Sequence, residues 1–487
     1  MRGTQKSLSF MLVVVVSLMC IVPGLAQAQS PKYVFLFIGD GMGMPQRAAA
    51  EMFQSGDPNS PSLLLMDKFP VHGITTTHAN DRFITGSAAS STAMACGIKT
   101  NIGYIGVDPN FNPVETIAEK AKKQGMKVAI ISSVSIDHAT PAAFYAHQES
   151  RSMYHEIAMQ LANSDFDFFG GGGIKDPEGK RSKNPLGNVY DVAQGNGFTV
   201  VSDKADFMAL PKDAGKVFAY NTRLPDGGAL PYAMDTTADD ISIVEFTQKA
   251  IELLDNDNGF FMMIEGGKID WACHANDAVA AIKDTLAFDE AILAAYDFYE
   301  AHPEETLIVV TGDHECGGLT LGFAGTKYET AFDVLKDQKV SFQVFTAEIM
   351  EQYKAEHAGE ANFEDMLPLL EEYFGLKVVG EGPLVLEDYE LQALEQAFLR
   401  SMAGVTLQAK TDFLLYGGYD PFTMEVTHIL NQKAGLAWTS FSHTGVPIST
   451  SAIGVGAETF NGFYDNTDIA KKMMSLMGLE FTVAAMQ

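Results

Sequence analysis

The sequence is short of cysteine and of basic residues, and both shortages narrow its chemistry. Four cysteines occur in 487 residues, and Cys96, Cys273 and Cys316 remain once the first 28 residues are set aside. Three thiols cannot build a disulfide framework, and a chain of this length does not need one. They also lack the paired spacing of a zinc-thiolate site, so Cys273 and Cys316 read first as small packed residues, although both sit inside candidate metal motifs. Lys and Arg number 33 against 62 Asp and Glu, a formal charge of −29. That balance argues against nucleic-acid binding, which depends on basic contacts. An anionic substrate would be drawn in only where local cations, metals above all, invert the field inside a cleft.

Other absences are equally useful. Past the amino terminus no segment has about 20 uninterrupted apolar residues, so no membrane anchor is expected in the mature chain. No GKS/T sequence accompanies Gly170-Gly-Gly-Gly173, which makes a tight strand-to-loop turn a better reading than a phosphate cradle. There is no GxSxG elbow, which disfavours a Ser-His-Asp triad.

What is present begins with a leader. Arg2 and Lys6 precede the apolar stretch Phe10 to Val22, and Ala26-Gln27-Ala28 offers a small-residue cleavage site, so residues 1–28 read as a secretory signal and the product as exported, periplasmic or secreted. Hydrophobic residues make up 46% of the chain and aromatics 10%, enough for a sizeable core. Continuous apolar runs recur at Tyr33 to Ile38, Lys127 to Ile131, Phe260 to Ile264, Leu307 to Val310 and Ile448 to Val455, with helical patterns between them at Val114 to Gln124, Tyr154 to Asn163, Ile241 to Leu254 and Ala278 to Ala295. Alternation of this kind implies an α/β fold, a three-layer sandwich whose mostly parallel central sheet is flanked by helices. From 322 to 436 the texture turns helical, with candidates at 347–355, 363–374, 389–402 and 421–432. The expected organisation is an α/β core over 29–321 and 437–487, interrupted by a mainly helical insertion at 322–436. The apolar stripe Leu391, Leu394, Phe398, Met402 reads as core packing.

Chemistry-bearing residues cluster where strands end, the edge at which open α/β sheets bind ligands. Asp270 and His274 stand four apart, one helical turn, so both can face one metal ion. Glu265 leaves the preceding strand, and two glycines let the chain bend enough to keep its carboxylate near the same pocket. Oxygen and nitrogen donors suit zinc, and all-oxygen sites suit magnesium. Asp313-His314 follows the Leu307 to Val310 run, His443 precedes the Ile448 run, and Asp40 ends the first strand between glycines. Ser87 opens a segment of small residues that reads as a tightly packed helix. Its amino end would present N–H groups and a positive dipole to an anion, and without a triad a metal must activate the hydroxyl.

Six segments, in order, resemble the alkaline phosphatases: Gly39 to Gly43, Ser87 through Thr100, Ala139-Thr140-Pro141-Ala142 with Arg151, Glu265 to His274, Asp313-His314, and Ser442-His443-Thr444. The resemblance covers essentially all of the mature chain outside 322–436. It implies hydrolysis of phosphate monoesters through a phosphoserine on Ser87, with two zinc ions and one magnesium per subunit. It further implies one zinc on Asp270, His274 and His443 at the leaving-group side, and a second on Asp40, Asp313 and His314 facing Ser87. Magnesium would take Asp40, Thr140 and Glu265, and Arg151 would clamp the phosphoryl oxygens. A homodimer is implied on the same ground. The chain departs from the family pattern at Gly86, where many members have Asp, and at Cys316, where relatives often have His or Thr. It departs again at Trp271 and His138, beside the third metal, whose identity those two residues leave open. A phosphodiesterase with the same two-zinc core and a non-catalytic exported phosphate- or metal-binding protein are the rival readings. A sulfatase is disfavoured because no Cys/Ser-x-Pro-x-Arg segment lies near Ser87.

Overall fold

A computed structural model describes residues 30–357, 359–404 and 410–481; the leader read at 1–28 lies outside them. The described strands are β1 (Tyr33–Gly39), β2 (Val71–Thr76), β3 (Lys127–Ser132), β4 (Phe168–Gly171), β5 (Phe198–Val201), β6 (Lys216–Tyr220), β7 (Phe260–Gly266), β8 (Thr306–Gly312), β9 (Glu315–Cys316), β10 (Thr320–Leu321), β11 (Leu436–Ala437), β12 (His443–Thr444), β13 (Ile448–Gly454) and β14 (Gly462–Asp465). Ten of them form one sheet in the order β14-β2-β13-β8-β1-β7-β3-β4-β6-β5. Its centre is built from the most continuous apolar runs, because a strand buried on both faces cannot alternate with polar residues. Along these strands Phe35, Phe37, Met262 and Ile264 enter one core, and Val34, Leu36, Phe261 and Met263 enter the other. Helices cover both sides, which gives three layers.

Two features differ from the sequence reading. β13 groups in sequence with the parallel runs, yet it lies antiparallel to both β2 and β8, since an apolar run carries no information about direction. It is also not the last strand, because β14 follows and pairs with β2. Helix starts shift as well. Capping boxes at Thr116/Glu119 and Ser242/Glu245 open Ile117–Lys123 and Ile243–Leu254, slightly later than apolar periodicity places them, because the cap fixes where helical hydrogen bonding begins. In the Gly170–Gly173 run, Gly170 and Gly171 belong to β4, and a Cβ on Gly171 would lie 1.8 Å from the Ser132 carbonyl oxygen. Close backbone packing against β3 accounts for that glycine.

The segment from 322 to 436 is mainly helical, including Leu367–Phe374, Asp388–Met402, Lys410–Tyr416 and Pro421–Ala434. Leu394 and Phe398 are fully buried, in the same core as Phe35 and Phe37. One buried carboxylate fastens the segment to the sheet layer. Asp277 caps the helix Ala278–Ala301 by accepting from the Ala280 N–H at 3.0 Å, and also accepts from Gln338 Nε2 at 3.0 and 2.9 Å and from the Phe342 N–H at 2.8 Å. Truncating it removes a cap and strands two buried donors, so Asp277→Ala is expected to cost about 3 kcal/mol. Urea unfolding with an unchanged midpoint would contradict this.

Candidate active site

The three central strands end in register. Gly39 of β1 pairs with Gly266 of β7 and Gly312 of β8, so the residues at these ends arrive at one place: Asp40 after β1, Glu265 at the end of β7, and Asp313-His314 after β8. Gly41, at φ +71, turns the chain so tightly past the Lys268–His274 helix that a Cβ there would lie 2.8 Å from the Asp270 Cα. The turn also directs the Gly41 N–H to Asp313 Oδ1 at 3.0 Å. Asp40, Glu265, Asp270 and Asp313 are all buried. Four buried carboxylates thus share one pocket.

Their surroundings form three clusters, within each of which the ligand-type atoms lie within 4.8 Å of one another: Asp270, His274, Cys316 and His443; Asp40, Asp313 and His314; and Asp40, His138 and Glu265. Asp40 belongs to two of them. In the first, His274 Nδ1 donates to the Phe441 carbonyl at 2.7 Å and His443 Nδ1 to the Thr85 carbonyl at 2.9 Å. With those Nδ1 protons committed, the two Nε2 atoms meet 3.1 Å apart, 3.4 and 3.6 Å from the Asp270 carboxylate. A cation suits this convergence, either a proton on His274 or a metal ion that replaces it. In the second, His314 Nε2 lies 3.3 Å from Asp40 Oδ1 and 3.2 Å from Asp313 Oδ2. In the third, Thr140 Oγ1 donates to Asp40 Oδ2 at 3.4 Å and the Ser132 hydroxyl donates to Glu265.

Electrostatics follow from the crowding. Burial, and then the Asp270 charge, push Asp40 up to about 7. Burial followed by the Asp40 charge raises Glu265 and Asp313 well above the carboxylate range. Asp270 goes the other way: burial opposes its ionisation, but the His274 and His443 imidazoles hold it well below its ordinary value. Its carboxylate in turn overcomes burial to push His274 up to about 9. Asp270 Oδ1, Asp313 Oδ2, Glu265 Oε1, His314 Nδ1 and His138 Nδ1 are buried and have no hydrogen-bond partner among the described residues. Buried polar atoms are nearly always satisfied. The unsatisfied carboxylate oxygens of Asp270, Asp313 and Glu265, with the imidazoles gathered beside them in the three clusters, are a donor set that fits divalent metals.

Ser87 is the first residue of the helix Ser87–Cys96, every residue of which is buried. Its Oγ lies 3.4 Å from both Asp40 Oδ1 and His314 Nε2. The helix's small side chains allow this packing, and Ser90 Oγ ties it to the Asp313 carbonyl at 2.7 Å. Arg151 Nη2 donates to His138 Nε2 at 2.9 Å. His138 therefore links the guanidinium to the third cluster. Trp271 stands edge-on to His138, 5.7 Å between ring centroids, with the Lys268 ammonium 4.9 Å from its own ring.

All twelve residues singled out in the sequence thus fall in this one region. Sequence reasoning missed others. Ser132 reaches Glu265 because the two are register partners across β3 and β7. Gln46 donates to Glu315 Oε1 at 2.8 Å and to the Cys316 carbonyl at 2.9 Å. Glu315 also accepts from the Thr444 hydroxyl and from the Gly318 and Leu319 N–H groups. Only the position of Glu315, directly after Asp313-His314, was available as a signal. Cys316 enters the first cluster as a fourth donor.

Known proteins share this arrangement of chain. The family model for alkaline phosphatase matches residues 31–367. Alkaline phosphatase 4 of Bacillus subtilis (strain 168) is 33% identical over 459 residues, covering 91% of this chain and 88% of that protein. The repressible alkaline phosphatase of Saccharomyces cerevisiae is 27% identical over 490 residues, 92% of this chain and 81% of the other. Among solved structures, the cold-active alkaline phosphatase of the psychrophile Shewanella sp. superimposes with a TM-score of 0.75 at 29% identity, covering 91% of this chain and 99% of that one. The enzyme of the Antarctic bacterium TAB5 gives 0.63 at 26%, covering 93% and 100%. The match extends over most of this chain and most of each relative, and the chain belongs to the alkaline phosphatase family.

Proposed function

We propose that this chain is an exported alkaline phosphatase that hydrolyses phosphate monoesters through a phosphoserine on Ser87. The observation that carries the reading is the Ser87 hydroxyl 3.4 Å from Asp40 and His314 of one acceptor cluster, with Asp40 shared by a second cluster. Asp270, His274 and His443 would hold one zinc, Asp40, Asp313 and His314 a second, and Asp40, Thr140 and Glu265 a magnesium. A variant of the TAB5 enzyme is described with Mg bound in its M3 site, and His138 and Trp271 flank the corresponding cluster here. Bound metals supply Lewis acidity at a reaction slow enough to need up to ~10²¹-fold acceleration.

The chain's own groups do the positioning. The first turn of the Ser87–Cys96 helix turns its free N–H groups and positive dipole end toward an incoming phosphoryl group. Ser87 Oγ, 3.4 Å from Asp40 Oδ1 and from His314 Nε2, presents an oxygen lone pair to phosphorus. As the Oγ–P bond forms and the hydroxyl proton is given up to solvent, the ester P–O bond breaks and the leaving oxygen takes a proton from solvent to depart as the alcohol. Water then cleaves the phosphoserine, releasing phosphate and restoring the hydroxyl. Arg151 offers a two-pronged donor to the non-bridging oxygens in both halves, and with Gly86 before the nucleophile its orientation depends on His138. Export rests on the leader pattern at residues 1–28, and a homodimer on the family resemblance.

At alkaline pH with zinc and magnesium, a chromogenic monoester is expected to turn over faster than the matching diester; equal or faster diester hydrolysis would overturn the preference. Ser87→Ala is expected to lower kcat by more than about 10³-fold, and Arg151→Ala to lower kcat/KM by about 10- to 100-fold. Chelation should abolish turnover and lower the melting temperature. Returning each metal at a hundred times its dissociation constant should restore about 2.7 kcal/mol per site. Zinc must displace the proton that Asp270 holds on His274, so affinity at that cluster should climb with pH and level off above about 9. A competition titration showing affinity independent of pH would refute this.

A further inference from the structure

Cys316 stands apart from the three residues assigned to the leaving-group zinc, because the resemblance gives it no role there. β9 and β12 form a two-stranded antiparallel ribbon in which Cys316 lies directly opposite His443, and Glu315 opposite Thr444. Directly opposed residues share a face, and neighbours along a strand alternate faces. The outer pair is satisfied: Glu315 accepts from the Thr444 hydroxyl and from Gln46. The inner pair therefore turns toward Asp270. The Cys316 residue is fully buried, and its sulfur falls within 4.8 Å of the ligand atoms of Asp270, His274 and His443. A second observation points at the same spot. Asp270 is 3% exposed, and its Oδ1 has no hydrogen-bond partner among the described residues.

We propose that Cys316 is a fourth protein ligand of this metal, making the leaving-group site a nitrogen, oxygen and sulfur site that selects zinc and similar thiophilic divalent ions over magnesium and manganese. The inference rests on the reading of the Asp270 cluster as a metal site. As the metal–sulfur bond forms, the thiol proton leaves to solvent and no electron changes hands, since a coordinating thiol is deprotonated outright. The thiolate adds a second negative charge to that of Asp270. A divalent ion is then neutralised by its ligands, where three ligands would leave it singly positive. Softness of the donor, more than charge, sets the preference among metals.

X-ray absorption on the zinc-loaded full-length protein decides the point without a variant. About half a sulfur per zinc at about 2.3 Å is expected when two ions are bound and one carries the thiolate. With cobalt(II) in place of zinc, wild type, Cys96→Ala and Cys273→Ala should show a near-ultraviolet thiolate-to-cobalt band that Cys316→Ser lacks. Zinc affinity at this site should fall at least about tenfold in Cys316→Ser, the lower end of the loss on removing even an outer-sphere partner. Bound zinc with only nitrogen and oxygen neighbours, or a band that survives in Cys316→Ser, overturns the proposal and leaves the phosphatase reading standing. A chain that binds no zinc and hydrolyses no monoester overturns both.

Discussion

Mutual repulsion among buried carboxylates is the constraint on which the rest of the structure depends. Asp40, Glu265, Asp270 and Asp313 are brought together by the register of β1, β7 and β8, and like charges in a buried pocket cannot all ionise without a counter-charge. The chain supplies part of it through the imidazole of His274, which the Asp270 carboxylate pushes up to about 9. The remainder falls to divalent cations. That requirement explains why the surroundings are so fully fastened: His274 and His443 by backbone carbonyls, Glu265 by Ser132, and the β9/β12 ribbon by Glu315. An overall charge of −29 would repel a phosphate ester from a site that lacked such cations.

Arg151 shows a second layer of the same design. Its guanidinium has no acidic residue at position 86 to orient it and donates instead to His138 Nε2, while His138 also belongs to the Asp40 and Glu265 cluster. Whatever occupies that cluster therefore acts on the guanidinium through one shared imidazole. Trp271 limits the tilt of that ring from its edge, and Lys268, buried beneath, backs the indole.

The centre of the sheet was legible in the sequence because β1, β7 and β8 are buried on both faces and read as unbroken apolar runs. The edges were not. β5, β6 and β14 are short, and β2 buries Val71, Gly73 and Thr75 of VHGITT, of which only Val71 is strongly apolar, so none of them makes a continuous apolar run. The antiparallel course of β13 is fixed by its neighbours and not by its own residues. At the site, Asp270 and His274 announced themselves by helical spacing, and Asp40, Asp313 and His443 by their strand-end positions and the family resemblance. Ser132, Gln46 and Glu315 act across long stretches of chain on partners that only the fold brings near, and local spacing carries no trace of them. Cys316 was visible but read as packing, because the paired-thiol pattern that marks structural zinc does not describe a single sulfur among imidazoles.

The two small ribbons have a consequence for how this chain tolerates change. β10 pairs with β11 through Thr320 with Ala437 and Leu321 with Leu436, and β9 pairs with β12 immediately alongside. The two ends of the 322–436 segment are thereby clamped next to each other before the chain reaches His443. A closed loop pays only about 0.6 kcal/mol for each doubling of its length. Only exposed turns between the clamps can therefore lengthen cheaply, because Leu394 and Phe398 share the core of Phe35 and Phe37 and Gln338 and Phe342 are held by Asp277.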